Sequence, residues 1–317
     1  VKRPLVSLLA CCGLLVGQAS AAGTTHSDQG LIGNTKETKA GKLNSYCLDR
    51  SDNILACDGR ENCIRVISPD DKLIAKWPLE FEPQAIACRR NGDVVVAGGG
   101  RVALLDTSGK PVATARLPIP PMPVIKDQKL SRKEILKQLR YAAEATSAAS
   151  MGDDVFVCAS GNTGYTVYRM NSRLEELKPV IKGLRGCCGQ MDVTAQGETL
   201  YVAQNGLSRI VMYNRDGQET GSFGKDREQR DRYFNGCCEP KNVCVGADGS
   251  IFAAESDQCC VNRFSAEGKL LDRVGVIKGV SGCVRVTVAA NRDASRVYFL
   301  DTSRNAIHIL ARTSAKP

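Results

Sequence analysis

A grammar of strand, tight turn and strand recurs six times along this chain, and it leaves few folds open. From Asn242 to Glu255 an apolar run, the turn Asp248-Gly249 and a second apolar run follow one another. Val261 to Leu271 then adds a third strand, a turn and a fourth. The same order appears at Ser45–Ala56 with Ile64–Ile74, and at Ala85–Ala97 with Val102–Ala113. It returns at Asp154–Ala159 with Tyr165–Leu177, at Asp192–Ala203 with Ile210–Gly221, and at Arg285–Asp301 with Ala306–Ala311. Asn91-Gly92, Ser108-Gly109 and Asp216-Gly217 stand between apolar runs, where short hairpins favour residues that accept positive φ. Units of about 40 residues with four short strands each form a ring of small sheets. The predicted fold is therefore an all-β, six-bladed β-propeller over residues 43–317. Its sixth copy stops after three strands, so the segment 22–42, centred on Leu31 to Thr38, is expected to supply the fourth. Such closure removes exposed sheet edges.

The fifth copy carries a more specific likeness. Pro240-Lys-Asn-Val-Cys-Val-Gly-Ala-Asp-Gly249, then Ala253-Ala-Glu-Ser256, then Asn262-Arg-Phe-Ser-Ala-Glu-Gly268 resemble the NHL-repeat family of six-bladed propellers. The resemblance runs from about Leu43 to the C-terminus. It implies the fold and little about activity, because such propellers serve as binding platforms, lyases and lactonases. The double cysteine before Pro240 is not part of the family pattern.

Two segments interrupt the repeat. Residues 118–145 open with a proline-rich lead, followed by Ser131-Arg-Lys-Glu134 as a capping box. Ile135, Leu136, Leu139 and Ala143 follow at helical spacing, opposite Lys133, Lys137 and Arg140. An amphipathic helix at 131–145, inserted between blades two and three, is expected. It would pack over the propeller or dock a partner. Lys225 to Arg232 reads as a solvated charged loop.

Residues 1–21 have the order of an export signal: Lys2 and Arg3, the apolar stretch Leu5 to Val16, then Ala19-Ser20-Ala21. A periplasmic or secreted protein is expected, with no transmembrane span, since no apolar run reaches the roughly 18 residues required. Loss of Lys2 and Arg3 lowers the formal charge from +9 to +7, and aromatic residues make up only 5%. The positive charge is spread along the chain, so a nucleic-acid partner is not expected.

Cysteine usage is the remaining anomaly. The chain has 15 cysteines, including the pairs Cys187-Cys188, Cys237-Cys238 and Cys259-Cys260. Removal of Cys11 and Cys12 with the signal leaves an odd number, so not all can pair within one chain. A chain of this length buries a full core without staples. Strand direction in a propeller brings the start of each inner strand, the end of the second and the start of the third to one rim. Cys187, Cys188, Cys237, Cys238 and Cys283 precede inner strands, Cys57 and Cys158 end second strands, and Cys63, Cys259 and Cys260 begin third strands. Cys47, Cys88 and Cys244 fall within inner strands and read as small core residues.

Three readings follow. In one, the thiols are structural disulfides, with Cys57–Cys63 bridging a hairpin and Cys259 or Cys260 reaching a first-strand cysteine. In the second, Cys187, Cys188, Cys237 and Cys238 converge as metal ligands, joined by Cys259, Cys260 and Cys283 at the cofactor. Thiolates from adjacent loops suit Cu(I), Zn or an iron–sulfur cluster, or redox chemistry by strained vicinal pairs. Both members of a pair can ligate only where the backbone turns, and Gly186 and Gly236 are expected to allow that turn. A protein partner would meet this cysteine-bearing face or the 131–145 helix. The third reading is an enzyme of lactonase or lyase type, with Glu239 as base among the channel residues Asp192 and Asn242, matched by Ser45 and Arg285. No inner-channel histidine supports it. His26 reads as part of a disordered start and His308 as a packed residue.

Overall fold

The computed structural model describes residues 24–118, 144–161, 164–224, 234, 236, 238–278 and 282–313. These form six four-stranded antiparallel sheets. Five are built from consecutive strands, and the sixth has the order His26–Ile32, Ala306–Arg312, Arg296–Asp301, Val286–Ala290. The innermost strands are Leu43–Leu48, Ala85–Cys88, Ala145–Met151, Asp192–Gln196, Asn242–Val245 and Val286–Ala290. Each packs beside the next, and the last returns to the first, so the sheets close into a ring. The six-bladed propeller predicted from the repeats is what the chain forms.

Burial follows position within a blade. Second strands such as Ile54–Asp58, Val94–Gly98 and Ile251–Glu255 are buried at every residue, because neighbouring blades cover both of their faces. They read as continuous apolar runs for that reason. Outer strands alternate, as in Leu73–Pro78, where one face meets water. The core lies between blades: Phe252, Val261 and Val274 of the fifth pack against Val286, Val288 and Phe299 of the sixth.

Polar inner-strand residues bind the blades together. Val193 N–H donates to Ser147 Oγ (2.8 Å), Val243 N–H to Asp192 Oδ2 (2.9 Å), and Val288 N–H to Asn242 Oδ1 (2.8 Å). In each case a side chain of one blade caps the inner strand of the next. Tyr46 of the first blade donates its hydroxyl to Tyr298 O of the sixth at 2.8 Å, across the closure.

Four expectations need correction, and a fifth falls almost wholly outside the described residues. The closing strand is His26–Ile32 rather than Leu31 to Thr38. It ends at Gly33 (φ +73°), and the Thr35 and Thr38 hydroxyls tie the following residues into a turn. His26 is thus no part of a disordered start: it is buried, and its Nε2 donates to Ala294 O at 2.8 Å. The third blade's inner strand is Ala145–Met151, whose small residues gave no apolar alternation. The helix expected at 131–145 falls outside the described residues over 131–143, leaving only Glu144 and Ala145; Ala145 opens a strand, and no helix occurs among the described residues. Finally, Cys57 stands opposite Ile64, and Cys63 opposite Asp58. That register puts the two sulfurs on opposite faces of the blade, so they do not bridge, and neither is disulfide-bonded.

Candidate metal centre

Two loops that lead into inner strands bring sulfur together. The loop before Asp192 turns at Cys187–Gln190, where Gln190 N–H donates to Cys187 O at 3.3 Å. Cys188 (φ +54°) and Gly189 (φ +68°) make the turn in the left-handed region. The loop before Asn242 turns at Cys238 (φ +61°). The cysteines themselves therefore provide the change of direction expected of Gly186 and Gly236. Those glycines serve close packing instead. A Cβ on Gly186 would stand 2.4 Å from the Tyr165 ring, and one on Gly236 would stand 2.9 Å from both Asp257 Cβ and Glu239 Cγ.

Two buried amides hold the first loop. Asn205 Oδ1 accepts from Cys187 N–H (2.8 Å), and its Nδ2 donates to Cys187 O (3.2 Å) and Gln190 O (2.9 Å). Gln190 spans to the sixth blade, donating to Val286 O (2.6 Å) and accepting from Val286 N–H (3.2 Å). Asn205, Gln190 and Val286 are buried, so their pairing holds the loop in place.

The sulfurs of Cys187, Cys188 and Cys238 lie within 4.8 Å of one another. Cys188 Sγ is 3.5 Å from Cys187 Sγ and 3.7 Å from Cys238 Sγ, while Cys187 and Cys238 are joined as a disulfide with Cα atoms 5.7 Å apart. Cys188 is exposed, and Cys187 and Cys238 are half-buried. Cys283, also exposed, is a side-chain hydrogen-bond partner of Cys188. Cys237 lies outside the described residues. Cys259 and Cys260 do not join this group. Cys259 is packed in the core between the fifth and sixth blades and donates to Ser256 O at 3.0 Å; Cys260 is buried and meets the Asn262 amide at 3.8 Å.

Behind the sulfurs is a cation that sequence reasoning missed. Lys241 is fully buried, and its Nζ faces Cys188. Partial burial pushes the Cys188 thiol pKa up, and the neighbouring Cys283 adds to this, while Lys241 opposes both by favouring the thiolate. Lys241 follows Cys238-Glu-Pro in the chain, but a single lysine carries no signal of burial. Its role becomes visible only when the inner strand turns it inward.

The carboxylates are occupied elsewhere. Glu239 Oε1 accepts from Ser256 N–H (2.8 Å), Ser256 Oγ (2.9 Å) and Asp257 N–H (2.8 Å), so the residue clamps a loop. Its Oε2 is buried without a partner, and burial pushes its pKa up to about 7. Asp58, Glu61 and Cys63 also lie close together. There, however, Arg65 pairs with both Asp58 (2.8 Å) and Glu61 (2.6 Å), and Lys76 with Glu61 (2.8 Å). These charges are already neutralised.

The central channel holds a cavity of about 290 Å³ lined by all six inner strands. Asp192 and Asn242 line it as expected, but their counterpart in the sixth blade is Thr287, the residue before Val288, and not Arg285. Asp192 is the one carboxylate among the lining residues, and burial raises its pKa to about 7. Cys47, Cys88 and Cys244 also line the cavity, and Cys47 and Cys244 pack against the core between blades as well. Calcium takes six to eight oxygen ligands, usually with several carboxylates. This channel does not present such a set.

No family model matches the chain, and no curated protein matches it. Solved structures do. The chain is similar to regucalcin, a calcium-binding protein from Agrobacterium tumefaciens, with 14% identity, a TM-score of 0.58, and 93% of this chain and 98% of that one covered. It is similar to the gluconolactonase XC5397 from Xanthomonas campestris, with 13% identity, a TM-score of 0.57 and 87% of each chain covered. Virginiamycin B lyase from Staphylococcus aureus gives 14% identity and a TM-score of 0.56, over 84% of this chain and 80% of that one. At such identities the likeness establishes the six-bladed β-propeller fold alone.

Proposed function

We propose that this is an exported propeller that binds one soft metal ion, Cu(I) or Zn(II), through Cys187, Cys188 and Cys238, with Cys283 beside them. One observation carries the reading: Cys188 stands at single-ion spacing, 3.5 and 3.7 Å, from the two sulfurs that a disulfide joins across two blades. A metal–sulfur bond of about 2.3 Å in tetrahedral geometry sets ligand sulfurs roughly 3.8 Å apart. An iron–sulfur cluster is several atoms wide and holds its thiolates farther apart, so the spacing favours a single ion. Soft thiolates select such metals over calcium or magnesium. Three thiolates on a monovalent ion leave net negative charge, which buried Lys241 offsets. Binding belongs to the reduced state, because the Cys187–Cys238 disulfide removes two ligands.

The test is metal retention by anaerobically reduced protein in competition with a chelator. One ion per chain is expected. Cys188→Ser or Cys238→Ser should weaken binding at least tenfold, about 1.4 kcal/mol or more, whereas Cys260→Ser should leave it unchanged. Reduced protein that retains no Cu(I) or Zn(II), or binds it equally well in all three variants, contradicts the reading.

A further inference from the structure

Cys188 also stands beside both ends of a disulfide bond. Its sulfur stands 3.7 Å from Cys238 Sγ, one end of the Cys187–Cys238 bond, and 3.5 Å from the other end. Of the three, only Cys188 is exposed. Lys241, fully buried, stands beside Cys188 from the protein side. Exposed Cys283 meets Cys188 as well. The left-handed backbone at Cys188 and Cys238 holds these two side chains toward each other across the two loops.

We infer that Cys187, Cys188 and Cys238 form a disulfide relay, in which Cys188 takes over Cys238 from Cys187 and offers the bond to a low-molecular-weight thiol. In the first step the Cys188 thiolate attacks Cys238 Sγ. The Cys188–Cys238 bond forms, the Cys187–Cys238 bond breaks, and the electron pair leaves on Cys187 Sγ, which takes a proton from solvent. No external oxidant or reductant is consumed. In the second step the thiolate of the small thiol attacks the exposed Cys188 sulfur, giving a mixed disulfide and releasing Cys238 as thiolate. A second small thiol attacks the small-molecule sulfur of that mixed disulfide, releasing Cys188 as thiolate. The sum is a protein disulfide plus two small thiols giving a protein dithiol plus one small-molecule disulfide. Exchange passes through thiolate attack on a disulfide sulfur, so access and reach control it. The half-buried original bond offers less access than the exposed one. The relay uses the same sulfurs as the metal reading but needs no metal.

The experiment uses oxidised full-length protein in excess chelator, with glutathione as the thiol and iodoacetamide trapping followed by peptide mapping. Reduction of the disulfide should be at least tenfold slower in Cys188→Ser than in the wild type. With glutathione disulfide as oxidant, Cys187→Ser should close a Cys188–Cys238 bond. Circular dichroism checks that both variants remain folded. Equal reduction rates for wild type and Cys188→Ser overturn the relay, as does a folded Cys187→Ser chain that forms no Cys188–Cys238 linkage. A chain that relays the bond yet holds no Cu(I) when reduced removes the metal reading and leaves this one standing. A chain that binds Cu(I) but fails the exchange tests does the reverse.

Discussion

Single side chains decide whether the sulfurs meet. Gly186 and Tyr165 are in contact over a space that no Cβ fits. Gly186→Ala is expected to cost about 1–3 kcal/mol through overpacking and to push the Cys187 loop outward; urea denaturation and metal affinity would both register it. Asp192 gives a pH signature. Its ordinary carboxyl value of 3.8 is raised to about 7 by burial. Between those values the unfolded chain has lost the proton and the folded chain has kept it, so stability falls as pH rises from about 4 to about 7. The contribution is on the order of 4 kcal/mol at most. Asp192→Asn keeps an oxygen for the Val243 N–H and is expected to flatten that slope, measured as unfolding free energy at pH 5 and pH 8. At this scale the doubled cysteines were legible in the chain, and their shared rim followed from strand direction. Gln190, Asn205 and Lys241 were not legible. Gln190 acts on Val286, 96 positions away, and no local pattern encodes such a partner.

Strands and their turns were the readable part, and the exceptions have physical causes. Asp-Gly and Asn-Gly turns announced the hairpins because few residue types tolerate positive φ. The third blade's inner strand escaped notice because Ala145–Met151 is made of small and hydroxylic residues facing a polar channel. The closing strand was placed several residues late, since its exposed middle carries Asp28, Gln29 and Gly30 instead of an apolar run. That strand pairs with Ala306–Arg312 and completes the sixth sheet. Deleting residues up to Ile32 removes a buried isoleucine, the His26–Ala294 hydrogen bond and the cover of a sheet edge. A fall in Tm of at least 10 °C is expected by differential scanning calorimetry, with aggregation on heating as the uncovered edge finds other chains. An unchanged Tm would show that the ring closes without it.

The ring explains why a site built from distant cysteines is possible at all. Inner strands point one way along the channel, so loops 51 positions apart in sequence, at Cys187 and Cys238, reach the same mouth. Neighbouring blades fix their separation through the side-chain caps at Ser147, Asp192 and Asn242. Cys57, Cys63, Cys158, Cys259 and Cys260 are buried and stand apart from the sulfur group. What remains is a compact sulfur group backed by one buried cation. Its decisive measurement is X-ray absorption at the zinc edge on reduced, zinc-loaded protein. The expected result is a shell with three or more sulfurs at about 2.3 Å that is lost in Cys188→Ser and Cys238→Ser. A shell of nitrogen and oxygen alone at about 2.0–2.2 Å, or a sulfur shell that survives both substitutions, would contradict the assignment of the metal to these loops.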